Sequence, residues 1–330
     1  MMNRTPLNRL FCSAVLAAAL AIVCPLNLVA QNVPAMTWIQ LSPANSPSAR
    51  DVSAMAYDPV SKKVVMFGGY SGSYLNDTWT FDGTNWTKQN TSTAPSPRTS
   101  AMMAYDFGSN KLVLFGGFNG SQFLGDTWLW DGATSTWTQA TPTSAPTAMG
   151  GVMLFTDPKN GHADLYGGYD GRFYQLDTWR WVNNNWKKLN TINSPYARAW
   201  GVVALDLAHK NVIINGGLGD IRTDNTWTFD GSDWTQQSPA HAIPKIFNAG
   251  SAYDPELHGV VIFGGDEGGG AMDATQGWTG SDFLQLQPQQ PAPERELHGM
   301  AYDFASHQMI IFGGDNGIDY LQDTWQLMRK

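Results

Sequence analysis

The chain has 330 residues, with 20 Lys and Arg against 28 Asp and Glu, a formal charge of −8. Residues 1–30 hold Arg4 and Arg9 and no acid, so the rest carries 20 − 2 = 18 bases against 28 acids, a net of −10. That balance lacks the basic surface a phosphate-backbone binder needs, and 34 Gly and 14 Trp with only 15 % charged residues fit neither a disordered chain nor a coiled coil.

Arg4 and Arg9 precede an apolar run over residues 10–23; Pro25 breaks it, and Leu28-Val29-Ala30 leads to a cut before Gln31. Basic, apolar and small-residue regions in this order make an export signal. The run is short for a transmembrane helix. The expectation is a signal peptide over residues 1–30 and a mature domain over residues 31–330, periplasmic or secreted, with no stable membrane insertion. Both cysteines, Cys12 and Cys24, lie in the first part. The mature domain then has no thiolate for a disulfide, a metal site or a nucleophile. It must be held by its core, which a chain of about 300 residues can supply.

From residue 31 onward the chain repeats. Gly-Gly pairs that close an apolar run begin at Gly68, Gly116, Gly167, Gly216, Gly264 and Gly313, at intervals of 48, 51, 49, 48 and 49 residues. Ten residues before each pair stands an aspartate: Asp58, Asp106, Asp157, Asp206, Asp254 and Asp303. After the pair comes Asp-Thr-Trp at Asp77, Asp126, Asp177 and Asp323, or Asn225-Thr226-Trp227. A second aromatic follows at Trp86, Trp137, Trp186, Trp234 and Phe283.

Each copy reads as four short strands, a to d. Strand a ends at the aspartate, whose short carboxylate favours a tight turn by bonding the backbone two residues on. Strand b, such as Val64-Val65-Met66-Phe67, has no polar alternation and is expected to be buried on both faces. Strand c alternates, as in Thr78-Trp79-Thr80-Phe81, and an Asp-Gly hairpin turn leads to strand d with its Trp. One such sheet cannot cover both faces. Six arranged radially can, with Trp side chains in the wedges between them. The glycines that end strand b are expected to leave room for a close aromatic or to permit positive φ. The sixth copy stops after strand c, and Thr37-Trp38-Ile39-Gln40-Leu41 matches the missing strand d. Residues of about 36–41 are therefore expected to pair beside 321–328 and close the ring. The fold class is all-β, a six-bladed β-propeller.

An apolar run ending in Gly-Gly, with a Trp about eleven residues on, at this spacing, resembles the kelch repeat, and the resemblance covers nearly the whole mature chain. It implies the propeller fold but no single function, because kelch propellers include enzymes, glycan binders and protein-interaction platforms. Galactose-oxidase-like copper enzymes of this type have seven blades and a cysteine-crosslinked tyrosine, which six copies and a cysteine-free mature chain exclude. Sialic-acid mutarotase-like proteins are exported and six-bladed. Resemblance to them implies an acid/base pair near the channel mouth, for which Glu267, Glu294 or Glu296 beside Arg295 are the candidates.

Candidate binding residues fall on the face that carries the b–c loops, because these loops vary on a constant frame. Copies one to three are aromatic there: Tyr70 and Tyr74, Phe118 and Phe123, then Tyr169, Phe173 and Tyr174. Copies four to six are acidic: Asp220 and Asp224, Asp266 and Glu267, Asp315 and Asp319. Such a face suits a sugar, a peptide or a cationic group; alternatively the aromatics pin their own loops and the acids solvate the rim. Arg50, Arg98, Arg198 and Arg295 recur eight residues before the turn aspartate, with Met149 and Ile246 in copies three and five. They either hold a carboxylate or sugar hydroxyl at the inner mouth or seal the channel by bonding carbonyls. Copy five departs furthest, with Gln276 at the Trp position, and is a candidate for function or drift. Its Asp266, Glu267 and Asp273 match no regular calcium loop, and His209, His258 and His307 read as exposed hairpin residues. The expected function is a carbohydrate- or protein-binding module, with a sugar-modifying enzyme as the alternative. The expected partner is a glycan or protein ligand met by a monomer, with no nucleic acid, cofactor or metal.

Overall fold

Strand b forms the buried layer of each sheet, as its lack of alternation requires: Val64, Val65, Met66 and Phe67 are at most 1 % exposed, and the other copies repeat this. The computed structural model describes residues 35–220 and 224–329, and the predicted signal peptide lies outside them. In that range the strands make six antiparallel four-stranded sheets. In the first, strands a to d are Ala54–Asp58, Lys63–Phe67, Thr78–Phe81 and Trp86–Gln89. Strand a is innermost, since residues at or just before all six a strands line one axial cavity. No helix among the described residues is long and apolar enough to cross a membrane.

The last sheet completes itself from the far end of the chain. Met36–Leu41 pairs antiparallel with Thr324–Arg329, Trp38 opposite Leu327 and Gln40 opposite Trp325. This is the expected closure, and it supplies the last blade with its fourth strand.

The wedges have a definite chemistry. In five of the six blades the strand-d Trp reaches the first threonine of strand c in the blade before it. Trp137 Nε1 donates to Thr78 Oγ1 at 2.9 Å, Trp186 to Thr127 at 2.8 Å, Trp234 to Thr178 at 2.9 Å, Trp86 to Thr324 at 3.0 Å and Trp38 to Thr275 at 3.1 Å. The remaining wedge is informative. Phe283 has no indole N–H, and there strand b ends in Asn215 instead of an aromatic, with its Nδ2 donating to Thr226 Oγ1 at 3.0 Å. The two substitutions compensate, because a buried hydroxyl keeps a donor. Trp137→Phe, which removes the N–H and keeps the ring, is expected to cost about 1 kcal/mol in denaturant unfolding. An unchanged midpoint would show that this bond contributes nothing.

The Asp-Thr-Trp tryptophan has another place. Trp79 is half-buried on strand c, and its Nε1 donates to Asp77 two residues back at 2.7 Å. Gln276 thus replaces a partner of that aspartate rather than a wedge side chain. The wedge pair of copy five persists in reversed order, Trp278 opposite Phe283 where copy one has Phe81 opposite Trp86.

Both glycines of each pair have positive φ, for example +71° and +106° at Gly116 and Gly117. What comes close is a carbonyl of the next blade and not an aromatic: a Cβ on Gly116 would stand 2.3 Å from Met149 O. The second glycine N–H donates to that carbonyl at 2.9 Å in every blade, Gly69 to Arg98, Gly117 to Met149, Gly168 to Arg198, Gly217 to Ile246, Gly265 to Arg295 and Gly314 to Arg50. On the opposite face the turn aspartates act as expected. Asp58, Asp157, Asp254 and Asp303 each accept from the backbone N–H two residues on at 2.8–3.1 Å.

Candidate functional site

The mouth of the channel is built on one residue per blade. Val52, Ser100, Gly151, Trp200, Asn248 and Leu297 stand two residues after the Arg position, and each has φ between +49° and +63°. Five consecutive bonds tie them into a collar: Gly151 N donates to Ser100 O at 3.0 Å, Trp200 to Gly151 at 2.9 Å, Asn248 to Trp200 at 3.0 Å, Leu297 to Asn248 at 2.9 Å and Val52 to Leu297 at 2.8 Å. A β-branched residue in this region is locally strained, and Val52 adopts it only because the closed ring requires it. Under the collar lies a cavity of about 120 Å³ lined by Met55, Met102, Met300, Ser251 and His298 among others.

Outside the collar, the residue after each Gly-Gly pair bridges the residue after each Arg position: Asp51 with Tyr70, Thr99 with Phe118, Gly150 with Tyr169, Ala199 with Leu218, Phe247 with Asp266 and Glu296 with Asp315. The predicted binding residues Tyr70, Phe118, Tyr169, Asp266 and Asp315 thus occupy equivalent places around the mouth. Glu267 is exposed on the loop beyond. Tyr70, Phe118 and Tyr169 are half-buried, so part of each ring meets solvent.

The aromatic side is continuous. Ring centroids run from Tyr320 to Tyr70 at 5.8 Å, Tyr70 to Tyr74 at 5.1 Å, Tyr74 to Phe118 at 6.1 Å, Phe118 to Phe123 at 5.0 Å and Phe123 to Tyr169 at 5.7 Å. Tyr169 then meets Tyr174 at 4.9 Å and Trp200 at 6.2 Å. Edge contacts at these distances hold the rings against each other, so the loops are pinned and the plates exposed at once; the two sequence readings are not exclusive. In copy four the ring position is Leu218, and the acidic side is made by Asp266, Asp315, Asp51 and Glu296.

Asp51 is 7 % exposed, and its Oδ1 is buried with no hydrogen-bond partner among the described residues. Burial, then the charges of Asp315 and Glu296, push its carboxyl up to about 7 against the opposing bond from its own backbone. Glu296 accepts from Asn248 Nδ2 at 2.8 Å. Burial and the charges of Asp266 and Asp315 outweigh that bond and hold Glu296 above its ordinary range. Carboxylates shifted in a cleft mark a candidate site.

The four arginines are elsewhere. Their side chains are buried at the b–c end of the blade. Arg50 donates from Nη1 to Asp77 Oδ1 at 2.6 Å and Gly68 O at 3.0 Å, from Nη2 to Asp77 Oδ2 and Ser48 Oγ at 3.0 Å, and from Nε to Ser48 O at 3.1 Å. Arg98 and Arg295 pair in the same way with Asp126 and Asp323 at 2.6 and 2.7 Å. Arg198 has Asn225 Oδ1 at 2.8 Å instead. With these donors committed inside the blade, a guanidinium is not presented to a ligand, and sealing is the role the geometry gives them. Burial raises the Asp77, Asp126 and Asp323 carboxyls, and the arginine and Trp N–H groups more than reverse this, leaving all three below the usual range.

Sequence reasoning missed Asp51, Trp200, Tyr320 and His298. The first, second and last lie one, two and three residues after an Arg position, where the copies share no common residue beyond Ala101 and Ala249. His298 packs against Phe263 at 5.5 Å. Burial, with Arg295 nearby, draws its imidazole down to about 3, so the ring is neutral at pH 7, and both ring nitrogens lack partners among the described residues. Of the other histidines, His209 bonds Asp206 at 2.8 Å. Among the described residues no group of three His, Asp or Glu comes together to hold a metal ion.

The family model described as the KLHDC2/KLHL20/DRC7 Kelch-repeats domain matches residues 23–217, more than half of the chain. No curated protein matches. The solved structure of YjhT is similar over 86 % of this chain and 95 % of that one, with a TM-score of 0.68 and 15 % identity, a likeness that shows the fold. With the repeat, the six blades and the family model in agreement, the chain belongs to the kelch-repeat family.

Proposed function

We propose that this kelch propeller is a carbohydrate-binding module that takes its ligand on the b–c face at the channel mouth. The observation that carries the reading is the unbroken arc of partly exposed rings from Tyr320 through Tyr70, Phe118 and Tyr169 to Trp200, adjoined at its Tyr320 end by Asp51 and Asp315, with Glu296 and Asp266 on the blades beyond. Sugars stack apolar ring faces on such plates and give hydroxyl donors to carboxylates. A rigid frame carrying this surface needs little ordering on binding. The leader sequence supports a place of action outside the cytoplasm, periplasmic or secreted. A glycan array probed with the purified protein, followed by titration of its best ligand, tests the reading. Tyr169→Ala is expected to weaken that ligand about tenfold, or about 1.4 kcal/mol. An array on which nothing is retained, or affinity indifferent to Tyr169, refutes it. A protein ligand on the same face is the other binding outcome.

A second reading, a sugar-modifying enzyme, has one observation in its favour: Asp51, held up to about 7 near Glu296, is a carboxyl suited to proton transfer. Arg295 does not take part, because it is committed to Asp323. Anomer exchange followed by NMR on array-positive sugars decides it; rates equal to buffer sink it.

A further inference from the structure

Asp51, Glu296, Asp266 and Asp315 neighbour one another on one side of the mouth. The electrostatic neighbours of Asp51 are Asp315 and Glu296, and those of Glu296 are Asp266 and Asp315. The nearby arginines are committed elsewhere: Arg50 to Asp77 and Arg295 to Asp323. Asp51 itself is more than nine-tenths buried with Oδ1 unpartnered, and its bridge to Tyr70 and the contact of Tyr70 with Tyr320 place two aromatic rings beside it. A buried acceptor without a donor, among carboxylates that repel each other, is a place where a cationic donor gains most.

We propose that the mouth binds an amino sugar, with its protonated amine held by Asp51 and Glu296 in the field of Asp315 and its ring laid on the adjoining tyrosines. The inference rests on the carbohydrate reading above and narrows its substrate class. A hard metal ion fits less well. Asp266 Oδ1 accepts from Gly268 and Gly270 N–H groups, and Asp315 Oδ1 from Gly317 N–H, so these oxygens face their own loops rather than a common centre. An ammonium needs only one to three acceptors and draws further attraction from ring faces. A lysine-bearing peptide fits less well too. Bonds such as Tyr70 N to Asp51 O at 3.0 Å, Leu75 N to Gly69 O at 2.9 Å and Leu124 N to Gly117 O at 2.9 Å occupy the loop main chain that an extended peptide would pair with.

Calorimetric titration of the purified protein at pH 7 with three probes tests this: a β-linked glucosamine tetramer, its fully N-acetylated counterpart and a tetrapeptide containing lysine. The free-amine sugar is expected to bind at least about tenfold more tightly than the acetylated one, and the peptide more weakly than the free-amine sugar. Glu296→Gln with Asp315→Asn is expected to bring the two sugars within about twofold. Asp51→Asn is expected to cut the preference to threefold or less, and since that change is expected to stabilise the fold, its effect cannot come from unfolding. Equal affinity for the two sugars overturns the amine proposal and leaves the carbohydrate reading standing. Binding of the peptide alone, or of neither sugar, overturns the amino-sugar proposal, and the glycan array then decides the carbohydrate reading. A preference that survives the carboxylate changes overturns the assignment of the amine to this cluster.

Discussion

Asp126→Ala is expected to destabilise the propeller by about 3 kcal/mol, the low end of the cost of removing one partner from a buried ion pair. Asp126 holds Arg98 through two bonds, at 2.6 and 2.8 Å, and the Arg98 side chain is wholly buried. Without the carboxylate the guanidinium keeps only Gly116 O, Ser96 O and Ser96 Oγ. The sign with pH follows from the direction of the shift. A carboxyl held below its unfolded value contributes stability above that value and loses it as pH falls through the folded one. The wild-type protein should therefore lose its advantage over the variant in acid, below about pH 4. The chain itself shows the apolar alternative, Ile246 and Ala274 in copy five. Arg98→Met combined with Asp126→Ala is expected to return to within about 1 kcal/mol of wild type, since a buried pair replaced by well-packed apolar groups is often neutral. Urea unfolding of the wild type, both single variants and the double variant measures this. An Asp126→Ala midpoint equal to wild type would mean that water reaches Arg98.

Asp51→Asn is expected to stabilise the protein at neutral pH by about 2 kcal/mol, roughly half of what the full linkage would give, because its neighbours Asp315 and Glu296 are only half-buried and their charges are screened. The carboxyl is raised to about 7 in the fold against 3.8 in the unfolded chain. Below about pH 4 both states carry the proton and wild type suffers no penalty. As pH rises toward 7 the unfolded chain has released its proton while the folded one has not, and wild-type stability falls. The gap between variant and wild type should open across that window and level off above it. A gap that is flat from pH 4 to 8 would place the Asp51 proton in the ordinary range and remove the strained carboxylate from the site. Stability gained where a ligand group is lost is the usual trade at a binding centre.

Much of this architecture was legible because the fold repeats itself. Strand order, blade number and the pairing of Trp38 with the last strand follow from positions that recur in phase. The threonine of Asp-Thr-Trp and the strand-d tryptophan were visible too, but their bond joins neighbouring blades and shows only in three dimensions. The Arg and Asp positions were noted separately. Their joint loss in copy five was the available sign that they form one device. The site was half legible. Tyr70, Phe118, Tyr169, Asp266 and Asp315 stand out because they break symmetry after an invariant Gly-Gly. Asp51, Trp200 and His298 follow the Arg position, where no one residue type marks the copies, and the left-handed backbone of Val52 and Leu297 runs against their local preference. That conformation is imposed by ring closure, which no local window of sequence contains.

The pairing of Met36–Leu41 with Thr324–Arg329 also governs how the molecule can come into being. The first described strand has to wait for Thr324–Arg329 before it finds its partner. A partial chain is a stack of blades with one unmatched flank, and contacts this remote in sequence form slowly. Assembly should therefore finish in a single late step, in which the first and last described strands lock into one sheet.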